Sequence, residues 1–272
     1  EDVIAGVVKY WFTGGVWVNE NAVYAISGTD GAIIWKCPLP NDTYNPHWDA
    51  PCTFDFSGDG LDEAFIGLTD YRRLTKIDGS GTYQWNISAP SGIATWWPWY
   101  YGQTMIANIT DDLTPTIVKT SWHSVCAFNP LNGAKVWTSQ ESNPTYNNYG
   151  FFYTATAAQV DTSDISPEIG VAGCDGIFYC LNGNDGSQKW TYYMGRPGSN
   201  VVNADVDNDG MPEFIVGCEN GKLYILNGEP GLTDFTIPPR VHRTFDFAYT
   251  VGSPTIVDCD RDSQSEILVP VA

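Results

Sequence analysis

The feature that most constrains the fold is an internal repeat in which a glycine is followed four residues later by an aromatic residue. Tryptophan fills the aromatic position in four copies and phenylalanine in the fifth. The pairs are Gly31 and Trp35, Gly81 and Trp85, Gly133 and Trp137, Gly186 and Trp190, and Gly231 and Phe235. Successive tryptophans are about fifty residues apart, a period that is typical of β-propeller blades and longer than that of short solenoid repeats.

Each repeat has the pattern of a small antiparallel sheet. An apolar run such as residues 223–226 precedes a turn, and the turns carry Asn, Asp and Gly, as in residues 182–186. Those residue types tolerate the backbone conformations of tight hairpin turns. Another apolar run precedes each hairpin, and no segment has helical periodicity. We therefore predict an all-β fold, a β-propeller of four-stranded antiparallel blades with five complete repeats and a partial sixth.

The repeats divide the whole chain, so residues 1–272 are predicted to form a single propeller domain. The repeats cover about 1–40, 50–91, 104–142, 155–194, 200–239 and 252–272. All-β domains of this length are common as one unit. Glu1 aligns with the glutamate that ends the acidic loop of later repeats, so the first repeat begins without an opening strand. A segment of a longer array and a ring whose ends share a blade both fit this pattern.

The element that runs from a strand through a turn to Gly-x-x-x-Trp, as in residues 24–35 and 126–137, resembles the tryptophan-docking repeat of PQQ-like propellers. The acidic loops that precede a glutamate-led strand resemble FG-GAP (VCBS-type) repeats. The resemblance covers nearly the whole chain through its repeats and identifies an architecture rather than one function. It implies that the repeat tryptophans pack between neighbouring blades.

Three loops carry side-chain oxygens at alternating positions, which is the pattern of a calcium-binding loop. They are Asp205, Asp207, Asp209 and Glu213; Asp55, Ser57, Asp59 and Glu63; and Asp258, Asp260, Asp262 and Glu266. Calcium takes roughly six to eight hard oxygen ligands, and strands rather than helices flank these loops, unlike those of an EF-hand. We predict structural Ca²⁺ here, against the alternative of metal-free acidic turns. The related loops at 108–116 and 161–168 have lost ligands and are expected to be such turns.

Two aromatic inserts lie between repeats, at residues 95–101 and 146–153. Planar aromatic side chains beside asparagine suit the face of a sugar or the surface of a protein. The alternative is that the inserts plug the central channel. We expect a glycan or protein partner at one propeller face, and the predicted ligand-binding residues are Trp96, Trp97, Trp99 and Tyr149.

Charge limits the partners further. The chain has 13 Lys and Arg against 32 Asp and Glu, a net charge of −19 that repels nucleic-acid phosphates. No apolar run is long enough to predict membrane insertion in this segment. Three glycosylation motifs, at Asn41, Asn86 and Asn108, are compatible with an extracellular or cell-surface location, for which a signal peptide would have to lie outside this sequence.

The leading hypothesis is a non-catalytic, extracellular, calcium-binding module for adhesion, glycan or protein binding, or cell-surface assembly. The three histidines form no metal-ligand pair, and no nucleophile elbow or phosphate-binding loop occurs. Two alternatives come from the resemblance, a polysaccharide-active enzyme of the lyase-like propeller type and a quinoprotein-like redox domain. Seven cysteines include Cys37 and Cys52, which flank one inter-repeat loop and are the predicted disulfide pair.

Overall fold

The computed structural model describes residues 2–13, 16–39, 50–68, 73–88, 103–112, 114–121, 124–139, 153–160, 165–196, 198–228, 241–262 and 265–272. These residues form 21 strands in six antiparallel sheets, and each sheet is a meander of consecutive strands. We number the sheets blade 1 to blade 6 in chain order.

The strands follow the predicted repeats. Blade 1 contains β1 (Val3–Thr13), β2 (Val16–Ile26) and β3 (Ile33–Pro38). Blade 2 contains β4 (Cys52–Phe54), β5 (Glu63–Leu68), β6 (Arg73–Ile77) and β7 (Tyr83–Ser88). Blade 3 contains β8 (Met105–Asn108), β9 (Pro115–Thr120), β10 (Val125–Phe128) and β11 (Lys135–Thr138).

The second half of the chain repeats this order. Blade 4 contains β12 (Thr156–Ala158), β13 (Glu168–Ala172), β14 (Ile177–Leu181) and β15 (Gln188–Tyr193). Blade 5 contains β16 (Gly198–Ala204), β17 (Glu213–Cys218), β18 (Lys222–Leu226) and β19 (Val241–Asp246). Blade 6 contains β20 (Thr255–Val257) and β21 (Glu266–Leu268). The predicted β-propeller of four-stranded antiparallel blades is confirmed, with three strands in blade 1 and two in blade 6. Within the described ranges, no helix is long and apolar enough to cross a membrane.

The hydrophobic core lies between blades rather than within one. Side chains alternate along each strand, so a blade has two apolar faces and each face packs against a neighbour. In β14, Phe178 and Cys180 join a cluster with Phe214 and Leu226 of blade 5. Tyr179, from the same strand, joins a cluster with residues of blade 3 on the opposite face. A blade therefore cannot bury its apolar surface without the blades on either side.

The repeat tryptophans are the recurring contact between blades. The indole Nε1 of Trp137 in blade 3 donates a hydrogen bond to the backbone oxygen of Gly183 in blade 4, at 2.7 Å. Trp35 and Trp85 make the same contact to the next blade, with the backbone oxygens of Gly79 at 3.1 Å and Leu131 at 3.3 Å. The expectation that these tryptophans pack between blades agrees with this geometry.

In blades 2, 3 and 4 the repeat glycine lies against the tryptophan of the preceding blade. Gly186 has φ +72°, a backbone conformation that side chains other than glycine rarely adopt. A Cβ atom at Gly186 would also lie 2.4 Å from the Trp137 ring, which is too close for any side chain. The Gly-x-x-x-Trp motif thus takes part in two interfaces. Its glycine lies against the tryptophan of the preceding blade, and its own tryptophan contacts the following blade.

The fifth repeat differs from the sequence prediction. Trp137 lies opposite Ala127, and Trp190 lies opposite Cys180, each one residue before a bulge in the hairpin. The equivalent pair in blade 5 is Ile225 and Arg243. Phe235, which the sequence pattern places at this position, lies outside the described residues. The strand pairing places an arginine where the other full blades have tryptophan.

The predicted disulfide between Cys37 and Cys52 is wrong, because neither residue forms a disulfide bond in this structure. Cys37 is buried in the cluster between blades 1 and 2. Cys52 packs against a different cluster, between blades 2 and 3. Being near one loop in sequence therefore does not place the two thiols in the same interface.

Removal of the Trp137 side chain tests the importance of this interface. Trp137 is 6% exposed and bonds to the next blade. We expect Trp137→Ala to lower the free energy of unfolding by about 3–5 kcal/mol, the usual range for emptying a large buried site. Chemical denaturation measures the change, and Val136→Ala, at an exposed position of the same strand, should change it far less. Similar losses for both variants would contradict a structural role for the tryptophan.

Candidate metal centre

The acidic loop of blade 5 connects the first two strands, β16 and β17. The carboxylate of Asp205 accepts hydrogen bonds from the backbone N–H groups of Asp209, at 3.2 Å, and Gly210, at 3.0 Å. Two residues adopt left-handed backbone, Asn208 with φ +60° and Gly210 with φ +93°. These turns wind the loop around the Asp205 side chain, which explains the glycine in the sequence pattern.

This winding brings three predicted ligands together. Asp205, Asp207 and Glu213 can each offer one carboxylate oxygen such that all three oxygens lie within 4.8 Å of one another. Asp205 and Asp207 are exposed, whereas Glu213 is buried. The fourth predicted ligand, Asp209, is not in this group, and its carboxylate accepts the backbone N–H of Met211 at 2.7 Å. Three carboxylates this close repel one another unless protons or a cation balance them.

The loop of blade 6 forms a second cluster. Asp258, Asp260 and Asp262 each place one oxygen within the same 4.8 Å limit, and all three residues are exposed. Asp258 accepts the backbone N–H of Arg261, whose φ is +65°, at 2.5 Å. Ser263, which stands where the other two loops have glycine, lies outside the described residues. The fourth predicted ligand of this loop, Glu266, is not in the group.

The loop of blade 2 has the same backbone but a different arrangement of carboxylates. Asp55 accepts the backbone N–H groups of Gly58 at 2.7 Å and Gly60 at 2.9 Å. The Gly60 hydrogen bond is the largest cause that lowers the pKa of Asp55 below its ordinary value. Within the described residues, Asp55, Asp59 and Glu63 do not form a three-carboxylate group, and Ser57 donates its hydroxyl to Asp55 at 3.4 Å.

The glutamate that ends each loop has a structural contact that does not require metal. Glu213 Oε2 accepts the backbone N–H of Val206 at 2.9 Å. The equivalent bonds join Glu63 to Phe56 at 2.7 Å and Glu266 to Cys259 at 2.6 Å. Glu168 closes the loop of blade 4 in the same way, by accepting the backbone N–H of Val160 at 3.2 Å. The glutamate therefore fastens the start of the second strand to the start of the loop.

Two of these glutamates form ion pairs with a lysine, and Glu213 does not do so within the described residues. Glu63 pairs with Lys76 at 3.3 Å, and Glu168 pairs with Lys189 at 2.5 Å. Glu213 forms no such ion pair with a lysine of the described ranges, and burial is the largest cause that raises its pKa above the ordinary value. The carboxylates of Asp207 and Asp209 raise the pKa further, while the Val206 hydrogen bond and His242 lower it. Among the described loops, the buried glutamate of blade 5 is thus the one whose pKa is raised by neighbouring carboxylates.

Sequence reasoning missed the groups that contribute from outside the loops. His242, at the start of β19, places Nδ1 3.5 Å from Asp207 Oδ2. Lys76 and Lys189 lie on other strands than the glutamates they pair with. No local motif could reveal these partners, because each comes from a strand that folding brings alongside.

The predicted ligand-binding residues Trp96, Trp97, Trp99 and Tyr149 all lie outside the described residues. Their role in ligand binding therefore stays a prediction.

Comparison with known proteins agrees with this architecture. The family described as outer membrane protein assembly factor BamB matches residues 19–201 of the chain. No curated protein matches. BamB from Moraxella catarrhalis has a similar structure, with 13% identity, a TM-score of 0.60, and coverage of 88% of this chain and 64% of that one.

Two further structures have the same fold. BBS1N in complex with ARL6DN shares 12% identity, with a TM-score of 0.59 over 97% of this chain and 76% of that one. The quinohemoprotein alcohol dehydrogenase ADHIIG from Pseudomonas putida HK5 shares 14% identity, with a TM-score of 0.55 over 88% of this chain and 42% of that one. The chain therefore spans less than two thirds of the length of BamB and less than half of the dehydrogenase.

Identities this low establish a common fold alone. The family match extends over more than half of the chain, and it agrees with the tryptophan docking seen between blades 1 and 4. The protein therefore belongs to the PQQ-like β-propeller family described as outer membrane protein assembly factor BamB.

Proposed function

We propose that this protein is a non-catalytic, calcium-binding propeller module that binds a protein or glycan partner outside the cell or at its surface. The observation that carries the proposal is the pair of carboxylate clusters in consecutive blades, at Asp205, Asp207 and Glu213 and at Asp258, Asp260 and Asp262. Both clusters occupy the loop between the first and second strands of a blade.

Calcium fits these loops better than zinc does. Every predicted ligand is an oxygen, and hard oxygen ligands suit Ca²⁺, whereas zinc sites usually include histidine or cysteine. The loops connect neighbouring strands within one blade and contain no helix that a metal could move. A bound ion would therefore stabilise the blade rather than act as a switch.

Calcium would also resolve the electrostatic conflict at Glu213. Burial and the nearby carboxylates of Asp207 and Asp209 make the ionisation of this group less favourable than in water. A divalent cation inverts that relation, because the ionised carboxylate then has an attractive partner. Metal binding at this loop therefore favours the ionised form of Glu213.

A partner-binding role is supported by the propellers of similar structure. BamB is described as an assembly factor, and BBS1N was solved in complex with ARL6DN. The strongly acidic chain, with a net charge of −19, suits a partner that is neutral or basic at its contact surface. A location outside the cytoplasm is consistent with the family description, which refers to outer membrane proteins.

The calcium proposal predicts that Ca²⁺ raises the thermal stability of the protein and that a chelator lowers it. At a calcium concentration of about one hundred times Kd, each site adds about 2.7 kcal/mol. We expect Glu213→Gln to remove most of the contribution of the blade 5 loop in calcium. In the presence of EDTA the same variant should unfold at an equal or higher temperature than the natural protein, because it no longer buries a charge. Scanning calorimetry in both conditions measures the difference.

Glu219→Gln is the matched control, since Glu219 is exposed directly after the same strand, β17. It should keep the full effect of calcium. An unfolding temperature that is indifferent to EDTA in the natural protein would refute the calcium proposal.

The partner proposal predicts that the aromatic inserts form the ligand surface. We expect the double variant Trp97→Ala, Tyr149→Ala to lose binding to the sugars of a glycan array and to any protein partner captured by cross-linking. Its unfolding temperature should not change. Val136→Ala, at an exposed position of a blade, is the control for binding. Unchanged binding, or a large loss of stability, would favour the alternative that the inserts plug the channel.

A further inference from the structure

Blades 4 and 5 have an equivalent pair of side chains at the turn between their second and third strands, with one difference in charge. In blade 4 the pair is Asp175 and Tyr179, and in blade 5 it is Asn220 and Tyr224. In both blades the two members lie seven and eleven residues after the glutamate that ends the acidic loop. Blade 4 therefore has an ionisable carboxyl where blade 5 has a neutral amide.

Blade 5 shows what the neutral side chain does at this position. Asn220 Nδ2 donates hydrogen bonds to the hydroxyl of Tyr224 and to the backbone oxygen of Met194, each at 2.8 Å. Met194 directly follows the last strand of blade 4, so the second bond joins two blades. Asn220 Oδ1 accepts the backbone N–H of Lys222 at 3.0 Å. The amide thus acts as a donor and as an acceptor at once.

Asp175 makes the acceptor contacts of this arrangement and is more deeply buried. Its Oδ1 accepts the backbone N–H of Ile177 at 3.0 Å, and its Oδ2 accepts the hydroxyl of Tyr179. A Cβ atom at Gly173 would lie 2.3 Å from Oδ1, so the absence of a side chain there lets the carboxyl pack on the backbone. Asp175 is 8% exposed, whereas Asn220 is an exposed residue. The carboxyl is therefore largely removed from water.

Tyr179 connects this carboxyl to the interface with blade 3. The tyrosine is 7% exposed and belongs to the buried cluster that contains Val125, Ala127 and Trp137 of blade 3. Within the described residues, this cluster contains no charged side chain that could balance an ionised Asp175. The hydrogen bond between the two side chains thus places a carboxyl at the edge of an apolar interface.

Other titratable groups near this turn come from three segments. Cys174 precedes Asp175 in the turn itself. Arg196, in the turn after β15, has its backbone against Gly176 and is exposed. Tyr153, just before β12, has a pKa that burial raises first and the Cys174 thiol raises further. The described surroundings of Asp175 therefore include one exposed cation and two weakly acidic side chains.

The burial of Asp175 changes its titration. Burial is the largest cause and raises the pKa of Asp175 above its ordinary value, whereas the hydrogen bonds from Tyr179 and Ile177 lower it. The folded chain therefore holds this proton more tightly than the unfolded chain does. The stability that the group contributes is full below its ordinary pKa, and it is lost as the pH rises through that value toward the higher pKa of the folded chain.

We propose that Asp175 makes the contact between blades 3 and 4 sensitive to pH, so that protonation strengthens this contact and ionisation weakens it. A protonated carboxyl carries a hydroxyl, which can donate a hydrogen bond as the amide of Asn220 does in blade 5. An ionised carboxylate can only accept hydrogen bonds, and its burial beside the apolar cluster is costly. The inference goes beyond the proposed function and depends neither on calcium nor on a partner.

The turn of Asp175 lies at a particular end of blade 4. Because β12 and β13 are antiparallel, β12 begins at the end of the blade where β13 ends. The chain that leads from blade 3 into β12 contains Tyr149, one of the predicted ligand-binding residues. The pH-sensitive turn therefore lies at the end of blade 4 where the connection from blade 3 arrives.

The test compares Asp175→Asn with the natural protein between about pH 4 and pH 8 in EDTA. An amide is compatible with this turn, because Asn220 occupies the equivalent position in blade 5. We expect the unfolding temperature of the variant to gain about 3 °C on that of the natural protein as the pH rises across this range. Each comparison is made at one pH, so distant carboxyls such as Glu213 contribute equally to both proteins.

Asp185→Asn is the matched control, and its expected effect has the opposite sign. Asp185 is an exposed residue in the turn between β14 and β15, and the hydroxyl of Ser187 is the largest cause that lowers its pKa. Its ionised form stabilises the folded chain above the ordinary pKa. This variant should therefore lose stability against the natural protein as the pH rises. The same trend in both variants would contradict a role for the burial of Asp175.

Two further measurements locate the effect in the structure. Carbon-13 NMR follows the Asp175 carboxyl itself, which should titrate above the ordinary range of aspartic acid. Near pH 8, the amides of β14 should exchange about fivefold faster in the natural protein than in Asp175→Asn, and near pH 4 the two rates should be equal. The amides of β18 in blade 5 should show no such difference.

A carboxyl that titrates at or below the ordinary pKa, or a stability difference that does not grow with pH, would overturn the proposal. His123, which lies between β9 and β10 in the sequence, is outside the described residues. His123→Gln should leave the effect of Asp175→Asn unchanged, and loss of that effect would assign the pH sensitivity to the histidine instead. All of these measurements are made without calcium, so failure of this inference is distinguishable from failure of the proposed function.

Discussion

The docking of one blade's tryptophan onto the next blade's hairpin turn is the interaction on which the rest of the structure depends. Each blade exposes apolar residues on both faces, so its stability comes from its neighbours rather than from its own hydrogen bonds. The tryptophan supplies a large buried surface and one directed hydrogen bond, as between Trp137 and Gly183. This combination fixes the spacing of the blades and also their register, because the indole must reach a particular carbonyl.

The acidic loops depend on that frame in turn. Their glutamates hold the start of each loop through one backbone hydrogen bond, whether or not the loop has the ligands for a metal. In two blades a lysine then neutralises the glutamate, as Lys189 does for Glu168. In blade 5 the buried Glu213 instead lies near the carboxylates of Asp207 and Asp209, which raise its pKa. One loop shape is therefore used for an internal ion pair in some blades and is suited to a cation in another.

The same logic explains how the last interface differs from the others. Arg243 replaces the repeat tryptophan in blade 5, and its guanidinium lies over the ring of Phe245, 5.5 Å from the ring centroid. An arginine at this position gives up buried apolar area and gains hydrogen-bond donors suited to an acidic turn.

Much of the fold could be predicted from the residues, because the repeat is local. The strand, turn and Gly-x-x-x-Trp pattern recurs within a window of about fifty residues, and turn chemistry leaves few alternatives to a hairpin. The acidic loops could be located for the same reason, since all their predicted ligands lie within nine residues of one another. The fifth repeat was placed wrongly because the match at Phe235 was to a motif spacing alone, and pairing in the sheet assigns the position to Arg243.

The amino-acid sequence by itself determined the blade, its turns, the interface tryptophans and the acidic loops, since periodicity and turn propensity act between near neighbours. Only the tertiary structure decided which acidic side chains converge, with Asp205 and Asp207 joining Glu213 while Asp209 bonds to the backbone. It also decided the partners that arrive from other strands, such as Lys76 and His242. Those contacts arise from strand register and blade stacking, which no local pattern specifies.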